Sequence, residues 1–158
     1  MGKELKIGEE APDFELLDSN NEKLSLKGFR NKWIVLYFYP KDDTPGCTLE
    51  AIDFTKISDD FRKLNAVIIG VSADSVKSHC SFMEKHKLKI NLLSDEEKKA
   101  IEAYGVWGMK TFMGRSFYGI RRSTFLINPN GKISRAWYDA KAKEHADEVL
   151  RTLKEIKK

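Results

Sequence analysis

The stretch "FYPKDDTPGCT" places a lone cysteine, Cys47, behind Thr44 and Pro45, with Pro40 closing an apolar run before them. A cysteine at the opening of a helix faces unpaired backbone N–H groups and the positive end of the peptide dipoles. Both favour a thiolate, and a helix N-terminus is one of the settings that lower a cysteine pKa below its free value of about 8.5. Pro45 suits a helix start because no N–H donor is needed there. Thr44 offers a hydroxyl within reach of a substrate oxygen. Pro40, lacking an N–H, can wall off the sulfur without competing for hydrogen bonds. The chemistry expected of this group is nucleophilic attack by sulfur. The plain alternative is a structural cysteine that fills space, since free thiols pack well. Residue 50 is Glu50 and residue 44 is Thr44, so no C-x-x-C redox pair exists here.

These residues need a strand before them and a helix after them. Val35–Tyr39 is a continuous run of β-formers, read as a buried strand. Leu49, Ile52, Ile57, Phe61 and Leu64 recur at helical spacing and predict one helix over 46–64. "VIIGVS" (67–72) reads as a second buried strand. Asp74 is the expected cap of a helix over 75–86, and Ser94 or Asp95 of one over 96–104 that Gly105 ends. "STFLI" and "KISRAW" flank "NPNG" and predict an antiparallel hairpin. An amphipathic helix over about 143–156 follows. Near the start, the extended segment 11–26 turns at Asn20-Asn21. Residues 105–119 show no periodicity and are expected to form a long functional loop. A βαβα half followed by ββα gives the fold class α/β, thioredoxin-like, with a mixed central sheet and helices on both faces.

The whole chain, 1–158, is expected to form one domain, since 158 residues suffice for one core. With 41% hydrophobic and 33% charged residues the composition is that of a soluble globular protein. A net charge of +4 is dispersed along the chain, without the basic stripe of a nucleic-acid binder. "WIVLYFY" is the longest apolar run and is too short to cross a bilayer, so no membrane is expected as partner. "MGKELKIGEEAPDF" lacks the apolar centre of a signal peptide, which points to a cytoplasmic protein. In a reducing compartment two cysteines are expected to be free or catalytic. His79, His86 and His145 lack metal-site spacing with either cysteine, and His79 and His86 are expected on a solvated helix face. Asp42 and Asp43 are expected to be solvated as well. Trp107, Phe112, Phe117 and Tyr118 are expected to anchor the 105–119 loop or rim the site.

Pro40, Thr44 and Cys47 match the P-x-x-x-T-x-x-C signature of peroxiredoxins. "FYPKDDTPGCTLEAIDF", "GEEAPDFELLDSN", "LLSDEE" and "YGVWGMKTFMGRSFYGIRRSTFLINPNGKI" together resemble the peroxiredoxin Q group, also called bacterioferritin comigratory protein. The resemblance spans nearly the whole chain. It implies a thiol peroxidase that reduces hydrogen peroxide and organic hydroperoxides without metal or organic cofactor, usually as a monomer. Cys47 is then the peroxidatic nucleophile, oxidised to a sulfenic acid. In "GIRRSTF" the group's arginine corresponds to Arg122, whose fork suits the peroxide oxygens and the thiolate. Arg121, next along the strand, is expected on the opposite side.

One departure matters. Many members carry a resolving cysteine at the position of Ile52, so here the usual local disulfide is out of reach. Some members place it on the helix that carries Cys80. Cys80, expected to be partly buried beside Val76 and Met83, is therefore either the resolving cysteine or a core filler. The first implies a Cys47–Cys80 disulfide recycled by thioredoxin or a similar thiol reductant. The second implies a one-cysteine peroxidase using an external thiol. A non-catalytic redox sensor or binding protein of the same fold is the opposing class.

Overall fold

The computed structural model describes residues 3–158. Its centre is β3 (Trp33–Phe38), whose side chains from Ile34 to Phe38 are all buried. Because side chains alternate across a strand, Val35 and Tyr37 enter one apolar layer while Ile34, Leu36 and Phe38 enter the other. A strand covered on both faces needs apolar residues at every position, as the continuous run anticipates.

Seven strands form the main sheet, in the order β2-β1-β5-β4-β3-β8-β9. They are β1 (Glu15–Asp18), β2 (Lys23–Ser25), β4 (Ala66–Ser72), β5 (Asn91–Ser94), β8 (Ser123–Ile127) and β9 (Ile133–Trp137) around β3. β3, β4 and β5 run parallel, whereas β8 is antiparallel to β3, with Phe38 opposite Ser123. On one face lie α1 (Pro45–Lys56), α2 (Ser58–Lys63), α3 (Val76–His86) and α5 (His145–Ile156), burying Phe54, Phe61, Phe82 and Val149. On the other, α4 (Lys99–Ala103) buries Ala100 and Ile101 against Phe38 and Phe125. This is the thioredoxin-like arrangement, a mixed sheet with helices on both faces. None of the described helices is long and apolar enough to cross a membrane.

Three local expectations are corrected. The stripe over 46–64 is two helices, parted at Ile57 (φ −113°, ψ 18°). There the Thr55 carbonyl accepts from the Ile57 N–H and from the Ser58 hydroxyl (2.9 Å), ending α1. Leu49, counted in that stripe, is exposed. The supposed loop 105–119 is mostly a separate hairpin, β6 (Trp107–Phe112) and β7 (Arg115–Ile120), turning at Met113 and Gly114. Both turn residues have positive φ (52° and 79°), which matches the twist of a tight hairpin. Finally, α3 is capped by Ser75, whose hydroxyl accepts from the Ser78 N–H at 3.1 Å, while Asp74 bonds elsewhere. Asp95 does serve α4, accepting from Lys99 and Ile101 N–H groups.

Candidate active site

The β3 strand delivers the chain through Tyr39 and Pro40 to a short loop, and α1 begins at Pro45. Cys47 lies in the first turn of α1 and is 2% exposed. Thr44 is the residue before the helix, in extended conformation, and its side chain caps no helix N–H. Its hydroxyl donates to the Lys41 carbonyl at 2.8 Å. That bond occupies the Thr44 hydrogen and leaves the oxygen free to accept from a substrate O–H. Pro40 is half-buried at the end of β3.

Arg122 approaches from β8. Because β8 is antiparallel to β3, the residue before Ser123 emerges at the same end of the sheet as the loop after Phe38. One guanidinium nitrogen, Nη2, lies 3.4 Å from Cys47 Sγ, and the other, Nη1, donates to Glu50 Oε1 at 2.6 Å. Gly46 permits this approach: a Cβ there would stand 3.0 Å from Arg122 Nη2. Arg121 pairs with Asp139 and Glu4, away from Cys47 as expected, although it and Arg122 lie between β7 and β8 and not along a strand.

Glu50 was not singled out from the sequence. It follows Cys47 by one helical turn and so shares its face, a spacing that could have flagged it. Its side chain is fully buried, and Oε2 has no protein hydrogen-bond partner among the described residues. Burial pushes its carboxyl up to about 7, against the opposing pull of Arg122. Lys110, on β6, was also missed; it is half-buried and donates to the Ile120 carbonyl at 2.9 Å. Burial lowers its ammonium, with Arg122 adding to the effect and Cys47 opposing it.

The Glu50 shift has a thermodynamic consequence. Between pH 4.5 and about 7 the folded chain retains a proton that the unfolded chain has released. The contribution of Glu50 to stability is therefore most favourable below that window and is lost as pH rises through it. The full change is on the order of 3 kcal/mol. Urea unfolding at pH 5 and pH 8 should show Glu50→Gln flattening the wild-type pH dependence by that amount. Parallel curves for the two proteins would contradict the assignment.

Cys80 is not brought to Cys47. Both thiols are free, and the half-buried Cys80 directs its sulfur toward Glu84 Oε1 at 3.9 Å, while that of Cys47 faces Arg122. The expected solvation of Asp42 and His79 is corrected: both are buried, His79 completely. Each satisfies the other, with His79 Nδ1 2.7 Å from Asp42 Oδ2. Asp43 is exposed as expected, and His86 is partly covered, bonded to it at 2.9 Å.

A cysteine sulfur at a helix N-terminus beside an arginine fork can attack an electrophilic oxygen while the fork receives developing negative charge. The family described as AhpC/TSA matches residues 7–136. Peroxiredoxin Bcp of Bacillus subtilis (strain 168) is 49% identical over 152 residues, covering 96% of this chain and 97% of that protein. Peroxiredoxin Bcp of Escherichia coli (strain K12) is 42% identical over 151 residues, covering 96% and 97%. A solved mutant of Xylella fastidiosa PrxQ superposes with a TM-score of 0.94 at 39% identity, covering 99% of this chain and 100% of its own. Xanthomonas campestris bacterioferritin comigratory protein, described with alkyl peroxide reduction activity, gives 0.87 at 41% identity and 92% coverage of both chains.

Proposed function

Since the chain belongs to the AhpC/TSA family and is a thiol peroxidase, we propose that Cys47 is the sulfur that meets the peroxide. The observation that carries this assignment is the Arg122 fork, held between Cys47 Sγ and the buried Glu50 carboxylate. The Cys47 thiolate attacks one oxygen of ROOH. The S–O bond forms with the hydroperoxide hydrogen kept as S–OH, the O–O bond breaks, and the departing RO⁻ takes a proton from solvent to leave as alcohol, or as water from hydrogen peroxide. Arg122 meets the charge spread over sulfur and oxygen, and Glu50 fixes the direction of the fork. Thr44 accepts from the substrate hydroxyl, and Pro40 shields the sulfur. No metal or organic cofactor takes part in these steps.

Cys80 then attacks the sulfenic sulfur of Cys47. An S–S bond forms, the S–O bond breaks, and hydroxide leaves with the Cys80 proton as water. The Cys80 sulfur is oxidised and that of Cys47 reduced. A thioredoxin-like dithiol returns both to thiols. The two free thiols suit the cytoplasm, and we take the working form to be a monomeric single domain.

The orientation of Cys80 toward Glu84 favours one rival, a peroxidase that leaves resolution to an external thiol. Non-reducing peptide mapping after one equivalent of peroxide separates the two. A Cys47–Cys80 linkage is expected. An unpaired Cys47 sulfenic acid would transfer the case to the one-cysteine reading, and a linkage between chains would defeat the monomeric scheme.

A further inference from the structure

The loop 40–44, which leads into the Cys47 helix, is fastened to α3 at both ends of that helix. At the inner end, the Asp42 carboxylate accepts from the Tyr39 hydroxyl at 2.6 Å and the Ser78 hydroxyl at 2.8 Å, and meets His79 Nδ1 at 2.7 Å. His79 Nε2 lies 3.0 Å from the Leu93 carbonyl, which can only accept, so that nitrogen carries hydrogen. Nδ1 faces a carboxylate, so a proton is shared between His79 and Asp42. The Asp42 N–H donates to Asp74 Oδ2 at 2.8 Å, which also accepts from Ser72 at 2.7 Å. Ligand atoms of Asp42, Asp74 and His79 lie within 4.8 Å of one another, as a metal cage would require. Their bonds to each other and to Tyr39, Ser72 and Ser78 make the cluster a clamp instead.

At the outer end, Asp43 accepts from Lys85 Nζ at 2.7 Å and meets His86 Nε2 at 2.9 Å. Asp43 adopts a left-handed backbone (φ 58°) to reach them. Cys80 follows His79 directly and lies between the two fastenings.

We propose that the Asp42–His79 contact is a positioning pair for the Cys47 site and, through the same bonds, the brake on its resolution. It fixes the loop where Thr44 and Cys47 meet peroxide. It also holds α3 in the form that keeps the Cys80 sulfur turned away. The second role rests on the reading of Cys80 as the resolving cysteine. The Cys80 sulfur faces Glu84 and that of Cys47 faces Arg122, so the two must turn toward each other before they join, and the clamp resists that movement of α3 against the loop. Weakening it therefore slows the first step and speeds the second. A merely structural contact would not move the two steps in opposite directions.

Rapid-quench mass spectrometry with dimedone as the sulfenic acid probe measures both steps. Oxidation scales with hydrogen peroxide concentration, and disulfide formation does not. Asp42→Asn is expected to slow oxidation about tenfold and speed disulfide formation about tenfold, the scale of one buried charge-assisted bond. Asp43→Asn removes only exposed ion pairs. As a control that spares the Asp42–His79 contact, it should leave both steps within about twofold. Equal slowing of both steps in folded Asp42→Asn would overturn the proposal. Should Asp42→Asn fail to fold, His79→Gln weakens the same contact from the other side, and equal slowing of both steps there would overturn it likewise. Cys80→Ser checks the premise separately: a disulfide step that persists there would remove the resolving role, and the brake with it.

Discussion

Cys47→Ser ends peroxide turnover. With dithiothreitol as reductant, hydrogen peroxide consumption should fall to the uncatalysed rate, a loss on the order of 10⁶, the scale found when a covalent nucleophile is removed. A serine hydroxyl is almost wholly un-ionised near neutrality and has no sulfur to carry the transferred oxygen. The site is buried and the substitution nearly isosteric, so the fold should survive. Retained turnover by folded Cys47→Ser would move the chemistry to another residue. Slow, stoichiometric oxidation of the wild type would indicate a sensor, not a catalyst.

The second large effect belongs to Arg122. Arg122→Met should lower kcat/KM for hydrogen peroxide by about 10³, comparable to losing a preorganised donor to a developing anion. Arg122→Lys should recover only part, because a point charge cannot reach Glu50 and the sulfur together as the fork does. The same change removes the donor to Glu50, whose side chain is fully buried, and should cost about 3 kcal/mol of stability above pH 7, where wild-type Glu50 is ionised. The double variant Arg122→Met, Glu50→Gln separates the effects. Replacing the stranded carboxylate with a neutral amide should restore much of the stability and none of the rate. If rate returns with stability, the arginine acts through the fold and not on the substrate.

How much of this could be read from the chain depends on how far apart the interacting groups are. Cys47, Thr44 and Pro40 sit within one short motif, and β3, β4 and the β8–β9 hairpin announce themselves by apolar runs and turn residues. Arg122 was visible through its motif, and its placement beside Cys47 follows from the antiparallel pairing of β8 with β3. Asp42 and His79 carry no such signal. They are polar residues in polar surroundings, and only tertiary structure reveals that each is the other's buried partner. Glu50 misleads for the same reason, since an acidic residue on a helix is ordinarily solvated. The β6–β7 hairpin escaped notice because most of its residues are exposed on both faces, which leaves no alternation to detect. The break at Ile57 was masked by apolar spacing that continues across it, although the hydroxyl of Ser58 ends α1.

The pairing of β8 with β3 also dictates when the site comes into being. During synthesis from the N-terminus, the cysteine emerges long before its arginine, and the two are 75 positions apart. A nascent chain that has not yet made β8 carries a sulfur with no guanidinium beside it. On the role proposed for Arg122, full reactivity toward peroxide arrives only once β8 has docked against β3 and carried the preceding Arg122 to the sulfur.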